Sequence, residues 1–65
     1  MKKGDLVKHA ETMLNAHPKI TKRLGAWLGI IVEFDEDGDP VVQWFENGEF
    51  LGPADAEFKN TIEVI

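Results

Sequence analysis

The chain has neither cysteine nor tyrosine among its 65 residues, and serine is missing as well. Without cysteine there is no disulfide framework and no thiolate metal site. The hydroxyl nucleophiles reduce to Thr12, Thr21 and Thr61. No nucleophile elbow, phosphate loop or dinucleotide fingerprint surrounds them. The two histidines, His9 and His17, have no cysteine beside them and read as solvated loop residues. Long apolar runs are also lacking. The longest, Ala26 to Val32, falls far short of the roughly 20 residues that span a bilayer. The charged opening Met1-Lys2-Lys3-Gly4-Asp5 is not followed by the apolar stretch of a signal peptide. These absences predict a noncatalytic chain with no cofactor, no metal and no membrane association, of intracellular origin.

What is present fits one small domain over residues 1–65. A hydrophobic fraction of 43% is too high for a disordered tail. A chain this short buries only about 60% of its unfolded surface, so its core must be small. The net charge of −5 is unevenly spread. Residues 1–23 hold six basic and two acidic side chains, while residues 24–65 hold ten acids and one lysine, Lys59. The acidic majority weighs against general binding to a phosphate backbone, which requires a basic face.

Turn formers divide the chain into short strands. Gly4 to His9 reads as a short first strand entered from a turn. Ala10 to Ala16 has the one helix-forming composition in the chain, and Pro18 ends it. It reads as a short excursion within a long loop from His9 to Gly25, with Met13 and Leu14 folded back over one end of the molecule. Ala26 to Phe34 is β-branched and aromatic, the strongest strand of the set. Gly29 within it marks a bulge or a close backbone approach. Asp35-Glu36-Asp37-Gly38-Asp39-Pro40 is dense in turn residues, and Val41 to Glu46 returns as the partner of a hairpin. Asn47-Gly48 is a two-residue type I′ turn signal, leading to Glu49-Phe50-Leu51. A polar connection from Ala54 to Asn60 contains one helical or 3₁₀ turn that buries Phe58. Thr61 to Ile65 alternates as a last strand.

Five short strands with one long first loop predict an all-β fold, a small five-stranded SH3-like barrel whose first and last strands pair to close it. The expected core is Leu6, Ile30, Val32, Phe34, Val42, Trp44, Phe58, Ile62 and Val64. Asp35, Asp37, Asp39 and Glu46 have the spacing of calcium-loop ligands. Pro40, however, stands where such a loop needs glycine, so the segment reads as an acidic hairpin turn.

Gly4-Asp5-Leu6-Val7-Lys8, Leu28-Gly29-Ile30-Ile31-Val32 and Asp37-Gly38-Asp39-Pro40-Val41-Val42-Gln43-Trp44 together resemble a recurring pattern. So does the ending Lys59-Asn60-Thr61-Ile62-Glu63-Val64-Ile65. The pattern is similar to that of the small SH3-like proteins encoded by tailed phages of marine bacteria. It covers most of the chain outside Ala10 to Arg23, which looks like an insertion in the first loop. The resemblance implies an SH3-like fold and a location in the host cytoplasm or the virion. A fainter similarity links the opening strand, the second strand and the approach to the last strand to the SH3-like accessory subunit of photosystem I. That similarity implies a docking role in a redox complex.

The candidate binding residues are aromatic and basic. Trp44 and Phe45 are adjacent in one strand and must point to opposite faces. With Trp44 inside, Phe45 lies outside, beside Trp27 or Phe50. Exposed aromatics suit protein recognition, so Trp27, Phe45 and Phe50 are the expected partner contacts, with Lys22 and Arg23 as basic additions. The leading expectation is a protein-binding module that meets a virion or host protein. A second is a nucleic-acid-binding barrel, with Lys2, Lys3, Lys8, Lys19, Lys22 and Arg23 on phosphate and Trp27 stacking on bases.

Overall fold

A computed structural model describes residues 1–12 and 25–65. The described chain is all-β. Six strands run in the order β1 (Leu6–His9), β2 (Leu28–Phe34), β3 (Pro40–Glu46), β4 (Glu49–Phe50), β5 (Asp55–Ala56) and β6 (Ile62–Val64). A 3₁₀ turn over Lys59–Thr61 precedes β6. Every pairing is antiparallel. The strands lie in the order β4-β3-β2-β1-β6, and β5 also pairs with β3.

The turns explain the connectivity. Asn47 at φ 52° and Gly48 at φ 83° are both left-handed, as a type I′ turn between β3 and β4 requires. In the β2–β3 turn the Asp35 carboxylate Oδ1 accepts hydrogen bonds from the Asp37 and Asp39 amides, each at 2.9 Å. This is the local bonding that makes aspartate a turn former.

The first and last strands do pair. Val7 faces Val64, Lys8 faces Glu63 and His9 faces Ile62. Hydrogen bonds from Ala10 N to Thr61 O (2.9 Å) and from Ile65 N to Leu6 O (3.0 Å) extend that seam. Two features depart from the five-stranded closed arrangement. The connection before the last strand contributes a sixth strand, β5, and β4 and β6 stand at opposite ends of the order without pairing to each other. The sheet is open. Glu11 and Thr12 are helical; the rest of the expected excursion, with Met13 and Leu14, falls outside the described residues.

The core is Val7, Ile31, Val42, Trp44 and Ile62, with Trp27 packed against it. Of the expected core, Val42, Trp44 and Ile62 are inside. Leu6, Val32, Phe34, Phe58 and Val64 are exposed, and Ile30 is half-buried. The cause is the register. Gly29 lies opposite both Trp44 and Val7. A Cβ placed on it would overlap Val42 Cγ1 and come within 3.0 Å of Trp44 Cε3 and 3.1 Å of Val7 Cγ2. Position 29 therefore faces inward because only glycine leaves room for the Trp44 ring. Alternation then puts Ile31 inside and Ile30 outside, and pairing puts Val7 inside and Leu6 outside. Between Ile31 and Glu33 the register shifts, and Val32, Glu33 and Phe34 all reach solvent. The bulge is thus at Val32, while Gly29 provides the close approach. Phe58, which precedes the 3₁₀ turn in extended backbone, is turned outward at 70% exposure and is not buried by it.

Candidate functional site

The outward face of the sheet carries an apolar row. Leu28 of β2 is the direct partner of Phe45 of β3, which is the direct partner of Phe50 of β4. Directly opposed residues of an antiparallel pair project from the same face, so the three side chains form one band across three strands. The Phe45 and Phe50 rings are 6.3 Å apart and meet edge to face at 81°, a favourable aromatic geometry. Phe45 is half-buried, whereas Phe50 is 69% exposed. A second row runs beside the first, with Leu6 opposite Ile30 and Ile30 opposite Gln43. The Gln43 side-chain amide donates to Gly52 O at 2.7 Å, and Leu51 N donates to Trp44 O at 3.0 Å. These bonds fasten the chain after β4 to β3 and hold Phe50 in place.

The inward face carries a different aromatic group. His9 stacks on Trp44 with centroids 4.0 Å apart and planes at 11°. Trp27 lies 5.8 Å from His9 and 6.4 Å from Trp44, tilted to both. Each indole N–H donates to a glutamate, Trp27 Nε1 to Glu46 Oε2 at 2.8 Å and Trp44 Nε1 to Glu57 Oε1 at 3.1 Å. A half-buried indole thus finds the acceptor it needs. Burial pushes the His9 imidazole below its ordinary value. His9 is therefore a core residue and not a solvated one, because alternation from Val7 places it inside.

The structure brings Phe45 and Phe50 together and sets Trp27 apart from them, on the inner aromatic group. Lys22 and Arg23 lie outside the described residues. Leu28 was missed by sequence reasoning, although alternation from Gly29 could have found it. The acidic turn gathers carboxylate oxygens of Asp35, Asp37 and Asp39 within 4.8 Å of one another. One of these oxygens already serves the turn backbone, and Glu46 is occupied by Trp27 at the far end of β3. A cleft of about 250 Å³ is lined by Lys8, His9, Glu11, Gly25 and Glu63. Among the described residues, no helix is long and apolar enough to cross a membrane. The chain matches no family model, no curated protein and no solved structure.

Proposed function

We propose that this chain is a noncatalytic protein-binding module that docks its partner on the Leu28–Phe45–Phe50 row. The observation that carries the reading is the aromatic pair at the end of that row, with Phe50 more than two-thirds exposed beside the half-buried Phe45. Aromatic side chains set against a firm base are the residues that dominate protein interfaces. A rigid sheet spares the ordering cost that a flexible loop would add on binding.

The finer fold reading goes with it. An SH3-like barrel is supported by the placement of β1 between β2 and β6 and by the 3₁₀ turn that leads into β6. The resemblance to small phage proteins makes the partner a component of the virion or a host protein.

The test is affinity capture by wild type and by Phe45→Ala, from infected-cell lysate and from purified particles. The reading predicts one protein held by wild type and lost from the variant. Equal recovery by both chains rejects the row as the docking surface. A mobility shift of nucleic acid at low salt, with no protein captured, moves the function to the basic N-terminal third.

A further inference from the structure

His9 is 6% exposed, and among the described residues neither of its ring nitrogens, Nδ1 or Nε2, has a hydrogen-bond partner. Most buried polar side-chain atoms are paired, so an orphan of this kind calls for an explanation. A neutral imidazole carries one donor and one acceptor; the imidazolium carries two donors and a charge. The buried position against Trp44 tolerates the neutral ring and opposes the charged one. Burial accordingly holds the His9 value down.

The charged groups around His9 favour its exit once it is protonated. Lys8 precedes it on β1, and Glu11 follows it. From β6, Glu63 places Oε1 at 3.4 Å from the Glu11 amide and Oε2 at 4.0 Å from Lys8 Nζ. Glu46 and Glu57 are held by the Trp27 and Trp44 indoles that pack against His9. Lys8, Glu11 and Glu63 line the cleft of about 250 Å³ on which His9 borders. Two carboxylates and water-sized space thus lie next to a ring whose burial disfavours its charged form.

We propose that His9 is an acid-sensitive latch on the β1–β6 seam. Protonation moves the ring off Trp44 into the cleft beside Glu11 and Glu63, and β1 parts from β6 along the whole of this short seam. The folded value lies below the ordinary value of about 6.5. The seam is therefore fully closed above about pH 6.5 and loosens as pH falls from there toward the folded value. Within that window the opened fraction grows by up to tenfold per pH unit, the limit for uptake of one proton.

Amide hydrogen exchange tests this, with wild type compared with His9→Phe, which keeps the stack on Trp44 and cannot titrate. The Ala10 and Ile65 amides report the seam, and the Leu51 amide, bonded to Trp44 O, reports the β3–β4 end. Between pH 7 and 5.5, wild type should lose up to tenfold protection per pH unit at Ala10 and Ile65 relative to the variant, with Leu51 unchanged. Equal pH dependence in the two proteins overturns the latch. Equal loss at Leu51 also overturns it, because the event is then global unfolding. If His9→Phe does not fold, the titration of His9 in wild type by nuclear magnetic resonance decides. Loss of Ala10 protection that follows this titration below about pH 6.5 supports the proposal, and titration of His9 with Ala10 protection unchanged rejects it.

Discussion

Gly29 lies under the Trp44 ring and decides which side of β2 is the inside. Its replacement by alanine adds a methyl group where Val42, Trp44 and Val7 already meet. Overpacking of this kind costs about 1–3 kcal/mol. Gly29→Ala should therefore lower the unfolding free energy by that amount, seen as a lower urea midpoint with an unchanged slope, since the surface exposed on unfolding is the same. A variant as stable as wild type would mean that Trp44 shifts at no cost, and the register argument would fail. The same position shows what a sequence conceals. Ile30, Val32 and Phe34 alternate as convincingly as any core face, and nothing local marks them as the outer set. The deciding contact is with a tryptophan fifteen positions along the chain, visible only once the strands are paired. Trp27 was hidden for the same reason, since its indole partner Glu46 lies 19 positions away.

At the level of elements, the hairpins were legible because their turns have local causes. Asn47-Gly48 adopts the two positive φ values that the dipeptide signals. Asp35 bonds the amides of its own turn, which needs no information from elsewhere in the chain. Gly48→Ala tests the first of these directly. A left-handed conformation costs an L-residue about 1–2 kcal/mol, and the turn leads straight to the strand that carries Phe50. The variant should lose that amount of unfolding free energy and unfold at lower urea, and an unchanged midpoint would contradict the turn assignment. By contrast, β5 was illegible. Two residues within a polar connection, Asp55 and Ala56, carry no alternation to read, and their pairing to Val42 and Val41 is set by the chain that surrounds them. The bulge at Val32 belongs to the same class.

The whole molecule sets two aromatic groups on opposite faces of one sheet. His9, Trp27 and Trp44 hold the inner face, and Phe45 and Phe50 complete a band with Leu28 on the outer one. Half of this site could be read from the adjacency of Trp44 and Phe45, which forces one of them out. The rest required the register of three strands. A fair comparison for Phe50 exists in the same chain, because Phe58 is just as exposed, 70% against 69%, and lies off the row. The most direct test is the affinity of the captured partner for wild type, Phe50→Ala and Phe58→Ala. The account predicts a loss of at least about tenfold, roughly 1.4 kcal/mol, for Phe50→Ala and no change for Phe58→Ala. Equal affinity of all three proteins, or equal loss in both variants, would contradict it.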